Sequence, residues 1–250
     1  MSAQLLLKDR PQLVSKQALP LKKADIAKDF QAVLSQYARA FDAGSTLLIE
    51  GEACKAVFVQ MDGWMHLSKS LEGGQTQIIE FVLPGDVIDA SSADGSTASG
   101  TLETLTCGRV SVVPRHIWTA LLRERVELHR FAQRMDAARQ ARLVERMLRL
   151  GKGSAEMRVA YALIEFLMRL DGGGVRPQSR FRIPLTQQQL GDYLGLSSVH
   201  ICRTLRRMVR NDVLDVRDHM EVQINDMDAL VALSGLDRQA FRKAIVTRQF

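Results

Sequence analysis

Between Thr186 and Arg210 the chain gathers the side chains whose chemistry is easiest to read. Arg203, Arg206 and Arg210 recur at helical spacing, and Ser198, Val199 and Cys202 share their predicted face, with His200 and Arg207 at its flank. A guanidinium fork fits a phosphate or the O6 and N7 edge of guanine, and small residues at the start of a helix let it approach base edges closely. Residues 180–210 hold six arginines, at 180, 182, 203, 206, 207 and 210, with Asp192 as the acidic residue among them. This is a surface for a polyanion, and a helix of these dimensions matches the major groove of duplex DNA. A merely solvated basic face would account for the charge but not for the cap, turn and spacing that go with it.

The elements that must position these groups are legible around them. Thr186-Gln187-Gln188-Gln189 has the form of a capping box, so a helix starts there. It runs through Leu190 and Tyr193-Leu194 to Gly195, where a left-handed residue lets the chain turn. Ser197 caps a second helix that buries Ile201, Leu205 and Met208, and the pair makes a helix-turn-helix. Val213 to Ile224 reads as strand, turn, strand, which makes the module winged. Upstream lie a short strand, Arg180 to Pro184, and a helix, Ala155 to Leu170, with an apolar face of Val159, Leu163, Phe166, Leu167 and Leu170. Asp171-Gly172-Gly173-Gly174 stops that helix. The tail from Asp226 carries Arg238, Arg242, Lys243 and Arg248, which either extends the DNA-binding module or only packs against it.

The first half has a different period. From Phe41 to Val113 short β segments alternate with glycine turns, the clearest being Gly73-Gly74, as expected of an antiparallel roll. After Pro114, apolar residues recur at three- and four-residue steps without an internal breaker, predicting one helix over 115–149. Such a length suggests a parallel homodimer seam, with Leu121, Leu128, Phe131, Met135 and Ala138 facing the partner. Arg142 interrupts the seam, and packing of the helix on its own domain is the plainer alternative. Gly151 to Ser154 ends it. The fold class is therefore α+β, with an N-terminal antiparallel jelly-roll-like β-roll over 1–114, a dimerisation helix over 115–150 and a C-terminal winged helix-turn-helix over 151–250.

Charge follows the same division. Residues 1–114 carry a net charge of −3, residues 115–149 +5 and residues 150–250 +4, for a total of +6. A basic C-terminal half again points to nucleic acid. No apolar run reaches the length of a membrane helix, and Met1 to Asp9 lacks the form of a secretory signal, so the expected location is the cytoplasm and no membrane partner is expected. Cys54, Cys107 and Cys202 are far apart, which suggests free thiols rather than a disulfide framework or metal cluster.

Taken in order, Phe41-x-Ala43-Gly44, Glu50-Gly51-Glu52, Val57-Phe58-Val59 leading to Gly63, Pro84-Gly85-Asp86, Glu103-x-Leu105-Thr106, Pro114-Arg115, and Leu185-Thr186 through Leu190-Gly191, Leu194-Gly195-Leu196-Ser197 and Arg203 form one pattern. Over about residues 35–235 the chain resembles the CRP/FNR family of bacterial transcription regulators. The resemblance implies a β-roll sensor, a dimerising helix, a winged helix-turn-helix on palindromic double-stranded DNA, contact with RNA polymerase, and no enzymatic activity. It places Ser198, Val199 and Arg203 at base-reading positions and Thr186, Gln187, Gln188, Ser197 and His200 at or near phosphates; Arg206, Arg207 and Arg210 join the latter from their place on the helix. Where the family commonly has glutamate this chain has Val199, whose side chain is able to pack on a thymine methyl but accepts no hydrogen bond from cytosine.

The effector is not evident. Relatives that bind cyclic nucleotides imply a glutamate and an Arg-Ser pair after Pro84-Gly85-Asp86; Ala90 stands near the glutamate position, and residues 70–108 contain no Lys or Arg. Only backbone amides around Ser96 to Ser99 remain to cradle an anion, so a cyclic nucleotide is disfavoured. Residues 1–53 contain no cysteine, against the clustered N-terminal cysteines of iron–sulfur relatives. His66, Met65, Cys54 and Cys107 are the available haem ligands, but a lone strand histidine reads more simply as structural; the His-x-His set of metal-binding cupins is absent. Cys202, beside Arg203, suggests thiol-redox control as one alternative. Others are a regulator that needs no effector and, more distantly, a small-molecule-binding roll without DNA binding.

Overall fold

The computed structural model describes residues 23–171, 180–217 and 220–246. The readings placed on Met1 to Asp9, the Gly172–Gly174 helix stop and Arg248 lie outside the described residues, as do residues 218 and 219 within the Val213 to Ile224 hairpin. The elements are α1 (Lys23–Gln36), β1 (Ala38–Phe41), β2 (Thr46–Leu48), β3 (Ala56–Asp62), β4 (Met65–Ser70), β5 (Thr76–Val82), β6 (Val87–Ile88), β7 (Thr101–Thr104), β8 (Gly108–Pro114), α2 (Arg115–Glu124) and α3 (Val126–Lys152). They continue with α4 (Ala155–Leu170), β9 (Arg180–Arg182), α5 (Gln187–Leu194), α6 (Ser198–Arg210), β10 (Leu214–Arg217), β11 (Glu221–Ile224), α7 (Met227–Ser234) and α8 (Arg238–Ile245). Two compact units result, one comprising residues up to Lys69 with Pro84–Ala132, the other Ser70–Leu83 with residues from Gln133 on. This division differs from the boundaries at 114 and 150, because β5 groups with the second unit and α3 is shared between the two.

The roll is antiparallel, as expected, with sheets ordered β1-β8-β3-β6 and β2-β7-β4-β5. Val57 pairs with Val113 and Leu67 with Leu102, so apolar residues meet inside. Val57, Met65, Leu102, Val110 and Val113 are almost completely buried. The hairpin at Gly73-Gly74 forms with Gly74 at φ +81 and the Leu71 amide donating to the Gln75 carbonyl at 3.0 Å.

The single helix expected after Pro114 is corrected to two. Arg125 leaves helical geometry at φ −125 and ψ 92, so α2 and α3 are separate. The break lets Trp118 from α2 and Phe131 from α3 both close on Phe30 of α1, with ring centroids 6.1 and 6.3 Å away. Helix α1 itself has no counterpart in the sequence reading.

Along α3, Leu128, Phe131, Met135, Ala138, Arg142, Arg146 and Arg149 form one buried stripe. The expected seam is corrected accordingly: Leu128, Phe131, Met135 and Ala138 lie in the chain's own interior and Leu121 is half-buried, so they are not presented to a partner. The outward apolar residues are instead Val126, Ala137, Val144, Met147 and Leu148.

In the second unit α4 is buried all round from Val159 to Met168, while Leu170, expected on its apolar face, is exposed. Around it sits a buried ionic cluster. Arg142 donates to Glu80 of β5 at 3.2 Å and lies 3.7 Å from Glu165 of α4. Arg169 donates to Glu165 at 2.9 Å and to the Phe81 carbonyl at 2.6 Å, and the Tyr193 hydroxyl donates to Glu165 at 3.0 Å. Arg146 donates to the Ile79 carbonyl and covers the Tyr193 ring at 4.1 Å. The side chains of Arg142, Arg169, Glu80 and Glu165 are all at most 5% exposed. Removing one partner from such a set strands the other charges. Glu165→Ala is therefore expected to destabilise the protein by about 3–5 kcal/mol in urea unfolding, whereas Glu127→Ala, which breaks an exposed pair with Arg130, should cost less than about 1 kcal/mol.

Candidate DNA-binding surface

The two helices of the motif are built as their sequence implies. The Thr186 hydroxyl accepts from the Gln189 amide at 3.1 Å and the Gln189 side chain accepts from the Thr186 amide at 2.9 Å, closing the capping box. Gly195 takes φ +61 and ψ 40, a left-handed conformation that a side chain resists. Gly191 is required for a different reason: a Cβ there would stand 2.3 Å from the Leu196 carbonyl oxygen. Ser197 caps α6 through the His200 amide at 3.3 Å and also meets the His200 ring at 3.1 Å. Ile201, Thr204, Leu205 and Met208 are buried beneath α6. The sheet β10-β11-β9 supplies the wing, with Leu214 opposite Ile224 and Arg217 opposite Glu221.

Most of the expected contact residues share this surface. Arg203, Arg206, Arg210, Val199 and His200 are exposed, and Ser198 and Cys202 half-buried, on the side of α6 away from its core. Among the described residues, Arg203, Arg206 and Arg210 make no ion pair, so their charge faces outward. Thr186, Gln187 and Gln188 are exposed in the cap and first turn of α5, where Gln188 also donates to Asp192 at 2.7 Å. Two arginines of the six have structural partners instead. Arg207 pairs with Glu156 of α4 at 3.1 Å, and Arg180 forms a two-point pair with Glu221 across the wing sheet at 2.7 and 2.8 Å. Their charge is offset locally, and the Glu221 carboxyl is held below its ordinary range by Arg180.

One residue was missed from the sequence. The Arg158 guanidinium donates to the carbonyls of Arg149, Gly153 and Leu150 at the end of α3 and to those of Leu194 and Gly195 at the end of α5, over 2.9–3.4 Å. A cation there meets two helix C-termini at once, where partial negative charge collects. It fixes the turn that aims α6. Nothing in local spacing marks it, since its acceptors are backbone atoms up to 37 residues away.

The Crp-like helix-turn-helix domain family matches residues 157–233 and the cyclic nucleotide-binding domain family residues 38–125. The chain belongs to the CRP/FNR family. It is a DNA-binding transcription regulator and not an enzyme. Similar proteins include the transcriptional activator protein FnrA of Stutzerimonas stutzeri, 28% identical over 79% of this chain and 80% of the relative. The nitrogen fixation regulation protein FixK of Bradyrhizobium diazoefficiens is 26% identical over 70% of this chain and 73% of its own. The solved structure of FixK2 from Bradyrhizobium japonicum shares the fold with a TM-score of 0.69 at 24% identity, covering 78% of this chain and 96% of that one.

In this CRP/FNR regulator the roll segment after Pro84-Gly85-Asp86 closes on itself. The Ser96 amide donates to Asp94 at 3.0 Å, Thr97 to the Ser92 hydroxyl at 3.2 Å, Ala98 to the Glu52 carbonyl at 2.8 Å and Ser99 to the Ala90 carbonyl at 2.7 Å. All four amides that might have held an anion are engaged. The Asp94 carboxyl is held at about 2 by the Ser92 hydroxyl and then by the Ser96 amide and hydroxyl. Arg115 reaches the segment from α2 but is taken by Asp89 at 2.6 and 2.7 Å. Burial pushes the Asp89 carboxyl up, and hydrogen bonds from Arg115 and Ser91 outweigh it, so the net shift is down. His66 sits 3.5 Å from Glu103, and among the described residues no group of three His, Cys, Asp or Glu is placed to hold a metal ion. A ligand at a hundred times its Kd adds about 2.7 kcal/mol to a folded state; millimolar cyclic AMP is expected to leave the thermal melting curve unmoved.

Proposed function

We propose that this regulator binds palindromic DNA as a homodimer, with α6 of each copy in the major groove and the outward face of α3 as the seam. The observation that carries the reading is the exposed Arg203, Arg206 and Arg210 row on a helix capped by Ser197 whose opposite face is core. Ser198, Val199 and Arg203 read bases, while Thr186, Gln187, Gln188, Ser197, His200, Arg206 and Arg210 lie at the phosphates. For the seam, Ala137, Val144 and Leu148 follow one another at seven- and four-residue steps on the face left open by the core, and Leu148 is 58% exposed. Two recognition helices about 34 Å apart then meet successive major grooves. Relatives named transcriptional activators support contact of the bound dimer with RNA polymerase in the cytoplasm of a bacterium.

The signal read by the roll is an effector other than a cyclic nucleotide. A second reading, DNA binding controlled by the protein's own abundance, is favoured by the same closed loop, in which the Ser96 to Ser99 amides already have acceptors within the roll.

Selection from random duplex DNA is expected to enrich a two-fold symmetric motif, and Arg203→Ala should lose about 1–3 kcal/mol per half-site and relax the preference at one position. Arg206→Ala and Arg210→Ala should weaken binding evenly across sequences and lower the slope of log K against log salt. The Val144→Asp, Leu148→Asp double variant should sediment as a monomer with an unchanged far-UV circular dichroism spectrum; a dimer of wild-type affinity would refute the seam.

A further inference from the structure

The outward line of α6 is not uniformly basic. Successive residues of a helix are about 100° apart, which places Val199, Arg203, Arg206 and Arg210 within an arc of about 60°. Ile201, Thr204, Leu205 and Met208 occupy the opposite side and are buried. Val199 therefore stands at the point of the first turn farthest from the core, and it is 55% exposed. A β-branched residue gains nothing for the helix there, since branching at Cβ lowers helix propensity. Its two methyl groups project in line with the arginines.

The rest of the helix narrows what those methyls meet. From Ser198 to Arg210 there is no Asp, Glu, Asn or Gln. No carboxylate is available to accept from the N4 amino group of cytosine, and no side-chain amide to make a paired contact with adenine. Two base-edge features remain for this row: the O6 and N7 acceptors of guanine, which suit Arg203, and the 5-methyl group of thymine, which suits an apolar side chain. The rise from Val199 to Arg203 is about 6 Å, close to two base-pair steps of about 3.4 Å.

We propose that Val199 is a specificity-determining residue that packs on the 5-methyl group of a thymine in each half-site, within two base pairs of the guanine held by Arg203. The inference rests on the reading of α6 as the groove-facing helix. Val199 contributes by excluding water from that methyl, so its effect is confined to one carbon atom of the DNA.

Replacing thymine by deoxyuridine removes that atom and nothing else. The enriched motif from random duplex DNA is remade with deoxyuridine at each thymine in turn, and affinities are read by fluorescence anisotropy with wild-type protein and with Val199→Ala. Wild-type binding is expected to fall about 4-fold for one substituted half-site and about 15-fold for both, the value of one buried methyl. Val199→Ala, with an unchanged melting curve, should bind the thymine and deoxyuridine duplexes equally. A wild-type protein indifferent to deoxyuridine at every position overturns the proposal and leaves DNA binding standing. A Val199→Ala protein that still loses affinity on deoxyuridine assigns the methyl to another side chain and also overturns it. Absence of any enriched two-fold motif rejects the reading of α6, and the proposal with it.

Discussion

Two buried carboxylates, Glu80 and Glu165, hold the second unit together. Each lies among arginines, and the cluster joins β5, α3, α4 and α5 through Arg142, Arg146, Arg169 and Tyr193. Removing such charges from water is costly, and the Coulomb attraction between them offsets that cost better where further hydrogen bonds reach the guanidinium groups. Here the carbonyls of Ile79 and Phe81 receive Arg146 and Arg169, which lets more guanidinium groups be buried than carboxylates. An apolar core of the same volume would be as stable or more so, but would tolerate sliding of one helix over another. Paired charges with fixed directions do not. The orientation of α5, and through the turn that of α6, is thereby set by geometry rather than by area.

Arginine recurs along α3 for the same reason. Arg142, Arg146 and Arg149 follow the buried stripe begun by Leu128, Phe131, Met135 and Ala138; the first two reach β5 and the third reaches the end of α7. Arg149 donates to the Ser234 carbonyl at 2.8 Å and covers the Tyr161 ring at 4.8 Å. Burial drives the Tyr161 and Tyr193 phenols well above their ordinary range, so both remain neutral donors. Tyr161 donates to the Arg142 carbonyl at 2.9 Å. The helix thus changes from apolar to ionic packing along its length without changing the face it buries. That leaves its outer face free.

How much of this was legible depends on the range of the interaction that fixes each element. The capping box at Thr186 and Gln189, the Gly195 turn and the buried row of Ile201, Leu205 and Met208 involve residues three to seven apart, and the sequence displays them directly. The buried partners of Arg142 do not have that property. Glu80 is 62 residues away, so Arg142 looked like an interruption of a dimer seam rather than a member of the core. The same ambiguity misassigned Leu128, Phe131, Met135 and Ala138, because a stripe that packs on its own chain and one that packs on a partner have the same period. The break at Arg125 was hidden too, since it serves the ring of Phe30, nearly a hundred residues earlier in the chain, and carries no glycine or proline.

The roll shows how a fold can keep its shape while its ligand chemistry changes. Two features of the roll disfavour a cyclic phosphate. One is compositional, the lack of any Lys or Arg between residues 70 and 108. The other is structural, the engagement of the Ser96 to Ser99 amides by Asp94, Ser92, Glu52 and Ala90. Within this loop the exposed Asp94 carboxylate accepts from the Ser92 hydroxyl and from the Ser96 amide and hydroxyl, so it orders its own turn. A segment whose amides are already satisfied offers a phosphate no donors to exchange for its water. Membership of the family therefore fixes the architecture of the roll, while the identity of what it senses must come from other residues.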